Sequence, residues 1–363
     1  ACKSTTQLMW SMGFISLVIT AFVYACKYWI LHGVFGQIEA DVMHHAEVYL
    51  LIVTASIPFI ALYNGGAAVF RAMGNSEVSM KVSLLMNAIN VSGNAILIYG
   101  FHCGTEGVAI PTLVSRFVAA FIIIKLLLKD KWSLHLERTY RFNPDWSMIR
   151  KILSVGIPNG LENSMFQLGK VLVLSLVSTF GTYAIAANAV SNVITLFSIL
   201  PGQAICLAVT TVIARCVGAG DYEQAKYYNK KLILLTHIGM AITIFIVFIT
   251  LPFILKVYNL SEAASEATRH IIWFHGCCAI LIWAESFTLP ATFRACGDAK
   301  ACMIISTVSM WIFRVGASYI LGKNLGLGVF GVWVAMIIDW AFRSLLFGIR
   351  YFSGKWKKHA LVS

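Results

Sequence analysis

Stretches of about 20 predominantly apolar residues recur along the whole chain, each long enough to cross a hydrocarbon layer of roughly 30 Å as an α-helix. Short polar segments separate them. The pattern predicts ten membrane-spanning helices, over residues 7–30, 47–70, 78–100, 106–128, 150–180, 183–214, 227–257, 267–294, 300–321 and 328–352. Composition agrees. Hydrophobic residues make up 59% of the 363 and charged residues 12%, against roughly 25% charged in a soluble domain. The expected fold class is therefore all-α, a polytopic protein whose principal partner is the lipid bilayer.

The net charge of +12 changes the picture only in where it falls. Twenty of the 28 basic residues lie in one alternating set of connections and near the two ends, among them Lys3, Arg71, Lys81, Arg215, Lys226, Arg294, Lys300 and Arg350. The opposite connections hold Lys27, Lys256, Arg269 and Lys323. By the positive-inside rule the first set faces the cytoplasm, and both termini with it. The excess is a topology signal rather than a nucleic-acid footprint, so no nucleic-acid partner is expected. The expected location is a plasma membrane, the inner one in a bacterium, crossed many times by a monomer.

The nine cysteines show no CxxC pairing, and His270 and His275 miss the i, i+4 spacing of a helical metal pair. No metal, cofactor or hydrolytic constellation is expected. Internal similarity is more informative. AAVFRAMGN, from Ala67 to Asn75, matches PATFRACGD, from Pro290 to Asp298, with Phe70, Arg71, Ala72 and Gly74 recurring 223 residues later. Each segment ends a helix, with Arg near the last carbonyls and Gly just beyond. Six spans separate the copies, so the repeat is parallel, with its pseudo-axis along the membrane normal.

The repeat predicts a first lobe over 1–128, a cytoplasmic linker over 129–148 and a second lobe over 149–363. The linker, rich in Lys and Arg, reads as a solvated tether. Residues 149–224 find no counterpart in the first copy, and the chain begins with Ala. The expectation is a twelve-helix architecture from which this chain lacks the first two helices.

Three stretches now resemble a known family. They are LPGQAICLAVTTVIARCVGAGDYEQAK from Leu200 to Lys226, GIPNGLENSMFQLGK from Gly156 to Lys170, and the paired FRA(M/C)G(N/D) segments. Together they are similar to the multidrug and toxic compound extrusion (MATE) family. The resemblance implies two six-helix lobes in a V, opening alternately to either side, and export of cationic or lipophilic small molecules against inward flow of protons or sodium ions. Arg215-Cys216 stand where many members have a Gly-Gln pair, and which ion couples stays open.

Acidic residues inside apolar spans point to the site. Glu162, Glu285 and Asp339 lie well within spans, where a charge costs at least roughly 2.5 to 3.5 kcal/mol unless it meets a cavity or a partner. Asn159, Asn163, Gln167 and Lys170 form one polar stripe beside Glu162, with Pro158 ahead of it. Glu162 is the expected cation-coupling residue, trading a proton or sodium ion for a cationic substrate; the alternative is a structural pair with Lys170 or Arg314. Asn163, Gln167, Asn188, Asn192, Glu285, Asp339 and, in the first lobe, Asn64 are the expected cavity-lining or substrate positions. Glu285 could instead serve helix packing, and Asp339 could pair with Arg343 at i, i+4. Asn188 and Asn192, with Thr195 and Ser198, could contact substrate or bond between helices.

A lipid-linked oligosaccharide flippase is the alternative function, and its anionic lipid phosphate would call for a more cationic cavity. A membrane enzyme would need a convergent nucleophile and base, which the sequence does not offer. A channel fits the two-lobe repeat less well than a rocking transporter does.

Overall fold

The structure, a computed structural model, describes residues 2–34, 40–137 and 144–359. Among these residues the chain forms ten long helices and no strand. We label them α1 (Cys2–Ala25), α2 (Asp41–Ala72), α3 (Ser76–Gly100), α4 (Glu106–Leu127), α5 (Trp146–Ser178), α6 (Thr182–Gly218), α7 (Tyr222–Tyr258), α8 (Glu262–Ala295), α9 (Ala299–Asn324) and α10 (Gly328–Phe352). They coincide with the ten spans expected from hydropathy, several of them longer because polar first turns continue the helix past the apolar run. All but α5 are apolar enough by composition alone to cross a membrane. The polar stripe of α5 sets it apart.

Large apolar side chains point outward all along these helices. Phe14, Phe245, Phe253 and Leu281 are each about two-thirds exposed or more (68%, 66%, 71% and 71%). A surface of that kind requires hydrocarbon as its solvent.

The chain divides into two compact units, Ala1–Ile152 and Leu153–Ser363. In the first, Met9, Tyr63, Phe70, Ile123 and Leu127 from α1, α2 and α4 form the core. The start of the linker belongs to that core and is no free tether: Trp132, Leu134 and Leu136 pack on it, with the indole of Trp132 edge-on to Phe70 at 5.3 Å. Further along, Lys3 Nζ donates to Asp145 Oδ2 at 2.8 Å. Residues 138–143 of the linker lie outside the described residues. In the second unit apolar side chains gather in three clusters, one around Trp283, Trp333 and Trp340, one around Ile213, Phe293 and Phe347, and one around Ile194, Leu251 and Ile272.

The repeated FRA(M/C)G segments fold alike. Gly74 and Gly297 take φ of 82° and 87°, the left-handed region that a side chain at Cβ disfavours. Asn75 N–H donates to Phe70 O and Gly74 N–H to Arg71 O, both at 2.9 Å. Asp298 N–H to Phe293 O at 2.9 Å and Gly297 N–H to Arg294 O at 3.0 Å repeat the pattern, a Schellman motif in each copy. Gly220 (φ 77°) closes α6 in the same way. There Asp221 starts the next helix, its Oδ1 accepting from Gln224 N–H at 2.8 Å.

Candidate functional site

Five helices of the second unit wall a cavity of about 880 Å³. From α5 come Asn159 and Lys170 of the polar stripe, with Phe166; α6 contributes Asn192 and Thr195; α8, α9 and α10 bring Trp283, Phe287, Arg294, Arg314, Trp333 and Trp340. Close backbone approach makes this arrangement possible. A Cβ on Gly202 of α6 would overlap the six-membered ring of Trp283, so only glycine lets that indole lie flat against α6. Short π-helical turns, Ala284–Thr288 in α8 and Met310–Gly316 in α9, carry Phe287 and Arg314 into the wall. Such turns shift the register of the side chains that follow and recur at functional sites.

Beside it lies a smaller cavity of about 310 Å³ lined by Asn159, Glu162, Asn163, Arg294 and Arg343. The Glu162 side chain is only 9% exposed, and Arg294 Nη2 donates to its Oε1 at 2.7 Å. Arg343 Nη2 stands 3.9 Å from the same oxygen, donates to Ser306 Oγ at 3.0 Å and lies 4.7 Å from the centre of the Phe287 ring. Glu162 Oε2 is buried without a hydrogen-bond partner. The carboxylate thus has one oxygen committed to Arg294 and one open to a proton or cation.

Neither Lys170 nor Arg314 is the partner of Glu162, as the sequence alternative had it. Lys170 Nζ sits 5.1 Å from the centroid of the Phe166 ring, and the Arg314 guanidinium 5.2 Å from the same ring. Arg294, read from sequence as a helix-capping residue, instead reaches from α8 to α5. Asp339 does not pair with Arg343. It is fully buried and accepts a hydrogen bond from Ser309 Oγ, an α9 to α10 contact, and it lines neither cavity.

Glu285 also lies outside both cavities. Its Oε1 is 3.0 Å from His237 Nε2 on α7, while His237 Nδ1 donates to Ile280 O at 2.6 Å. The packing alternative for Glu285 is the one this geometry matches. Gln167 and Asn64 are exposed and line neither cavity. Asn163 and Asn192 do reach a cavity, each side-chain amide donating back to the carbonyl one turn earlier, that of Asn159 and Asn188 respectively. Asn188 lines a third recess with Lys170, Asn192 and Arg314, and its Oδ1 accepts from Trp333 Nε1 at 3.1 Å.

Sequence reasoning missed the aromatic wall. Trp333, Met336 and Trp340 stand at i, i+3 and i+7 on α10, a helical face that a closer reading would have set apart from scattered lipid-facing aromatics.

A helical membrane protein with a polar, aromatic-walled cavity inside one of two helical units has the build of a secondary transporter. The chain belongs to the MATE family: the MatE family model matches residues 1–96 and 158–320. Among its relatives is the probable multidrug resistance protein NorM of Thermotoga maritima, 25% identical over 99% of this chain and 78% of that protein. The uncharacterized transporter YisQ of Bacillus subtilis is 27% identical over 94% and 75%.

Solved structures share the fold. One is the outward-facing conformation of a multidrug resistance MATE family transporter of the MOP superfamily, with a TM-score of 0.87 at 19% identity, covering 97% of this chain and 80% of that one. Another is a MOP superfamily transporter from Pyrococcus furiosus, described as having a binding pocket of reverse polarity that suggests a different function. It has a TM-score of 0.86 at 20% identity, covering 97% and 80%. The protein is therefore a multi-span membrane protein with the MATE fold.

Proposed function

We propose that the protein moves lipophilic small molecules across a plasma membrane by alternating access, exchanging them for protons or sodium ions bound at Glu162. The observation that carries this reading is the Glu162 carboxylate itself. It is placed in the wall of a small cavity, with one oxygen held by Arg294 at 2.7 Å and the other free of partners. A proton arriving at Oε2 removes the charge that holds Arg294, and Arg294 lines both cavities. The state of the ion site is thereby transmitted to the cargo site through one guanidinium. Sodium would draw on the same carboxylate together with the side-chain oxygens of Asn159 and Asn163, which line the small cavity.

The parallel repeat and the family support rocking of two lobes between access states. The alternating distribution of basic residues supports cytoplasmic termini in an inner membrane, and nothing in the reading requires more than a monomer. The flippase alternative loses support, because the matching family model is the multidrug one. The cationic cargo expected from the sequence is less well served, since the three carboxylates inside the spans of this unit, Glu162, Asp339 and Glu285, already meet Arg294, Ser309 and His237.

Efflux from cells stripped of their own pumps tests the proposal. Cells making the protein should accumulate less of a lipophilic dye panel than controls, and the difference should collapse when the proton and sodium gradients are dissipated. Glu162→Gln should abolish it. Efflux by that variant at the parental rate would remove Glu162 from the mechanism.

A further inference from the structure

The larger cavity is lined by Lys170, Arg294 and Arg314 and by no Asp or Glu. Arg343 lines the adjoining one. Against these four cations stand two carboxylates, Glu162 and Asp339. Glu162 is bound to Arg294, and Asp339 is sealed behind the wall on Ser309. Glu285 is taken by His237 outside both cavities. Even with both carboxylates ionised, two positive charges remain.

Two of the four, Lys170 and Arg314, make no ion pair within 4 Å among the described residues. The Lys170 ammonium rests on the Phe166 ring, 5.1 Å from its centroid. Asp339 behind the wall acts electrostatically on Arg314, whose Nη2 points at Met336 Sδ at 3.1 Å, a weak acceptor, and whose guanidinium lies 5.2 Å from the centroid of the Phe166 ring. Both line the main cavity and the recess beside Asn188 and Asn192. Neither belongs to the cytoplasmic charge belt. Arg314 lies fifteen residues into α9 from Ala299, ~22 Å along the helix, so the topology rule gives no account of it. Positive charge in excess of the carboxylates around a water-reachable cavity attracts an anion. The flanking Trp283, Phe287, Trp333 and Trp340 offer flat apolar faces.

We propose that this cavity binds an organic anion with an aromatic body, such as an aryl carboxylate or sulfonate, its acidic group between Lys170 and Arg314 and its ring against the indoles. The inference rests on the transport reading only in taking the cavity as the cargo's site. An aryl anion and an anionic lipid head group share the chemistry that Lys170 and Arg314 recognise; the aromatic wall favours the former.

Calorimetry on the full chain in an uncharged maltoside detergent tests it with three probes of one shape: 2-naphthalenesulfonate, 2-naphthylmethylammonium and 2-naphthylmethanol. The sulfonate should bind at least ten-fold tighter than the ammonium. The double variant K170Q/R314Q should lose at least ten-fold in sulfonate affinity and keep its affinity for naphthylmethanol, which shows the cavity intact. Ammonium binding as tight as sulfonate, or unchanged sulfonate affinity in the double variant, would overturn the proposal. Displacement of the sulfonate by dihexanoylphosphatidylglycerol at a lower concentration would overturn it in favour of a lipid phosphate. Should the double variant not yield folded protein, the ratio of the two affinities in the parent chain decides. Binding is read without any ion gradient. A chain that binds the sulfonate but moves nothing would sink the exchange reading alone, and one that exports dyes without preferring the sulfonate would sink this inference alone.

Discussion

Replacing Glu162 by Gln isolates the buried ion pair between α5 and α8. Arg294 is 25% exposed at its side chain and Arg343 3%, and both point at Glu162 Oε1, at 2.7 and 3.9 Å. Gln keeps the shape and removes the charge, leaving Arg294 without its ion-pair partner and Arg343 with only Asp339 acting on it from behind the wall. Breaking a buried pair by removing one partner typically costs 3 to 5 kcal/mol. The partial opening of Arg294 to the cavities puts this case at the low end, about 3 kcal/mol. With about 2 to 4 °C of melting temperature per kcal/mol for a unit of this size, the variant should melt ~6 to 12 °C lower. Thermal unfolding of purified protein in detergent, followed by intrinsic fluorescence, reads the shift. The double variant E162Q/R294Q removes both partners and should recover at least half of the loss, the signature of direct coupling. A single-variant shift under 2 °C, or strictly additive losses in the double variant, would refute the reasoning.

Other outcomes follow from the same geometry. Gly202→Val drives a side chain into the Trp283 ring and should cost about 1 to 3 kcal/mol, seen as a lower melting temperature and lost cavity binding; an unchanged melt would show that the indole can move aside. Asp298→Ala removes the two bonds at 2.6 and 2.9 Å that tie the turn after α8 to Arg350 at the end of α10. It should destabilise by roughly 2 kcal/mol, and Asp298→Asn should restore part of that. Glu285→Gln should leave dye efflux within two-fold of the parent while lowering stability by about 1 kcal/mol, because its carboxylate serves the α7 to α8 contact. Abolished efflux at an unchanged melting temperature would put Glu285 back among the transport residues. Gly297→Ala, at φ 87°, should cost about 1 kcal/mol in melting experiments without altering which probes bind.

The helices were legible in the sequence because each apolar run had to match the thickness of a bilayer, and the polar stripe of α5 stood out against that background. Glu162 and Asn163 stood out for the same reason, and both line the smaller cavity. Their partners were not. Spacing along one helix ranks neighbours on that helix, so Lys170 suggested itself for Glu162 and Arg343 for Asp339. The pairs that formed, Glu162 with Arg294 and Asp339 with Ser309, join different helices. Arg294 carried a second disguise, since an Arg before Gly at a helix end already has a sufficient local purpose. Trp283, Trp333 and Trp340 were hidden by the solvent: in a membrane span an indole facing lipid and one facing a cavity satisfy the same hydropathy. The π-helical turns that carry Phe287 and Arg314 leave no mark in a 3.6-residue periodicity.

The surplus of positive charge around Lys170 and Arg314 bears on energetics beyond recognition. A cargo with one negative charge leaving a cell whose interior is electrically negative is driven outward by the membrane voltage itself, by roughly 2.3 kcal/mol for each 100 mV, close to a fifty-fold concentration ratio. A cation of equal size would meet the same voltage as an obstacle. The sign of the cavity wall therefore decides whether the resting potential assists extrusion or must be overcome.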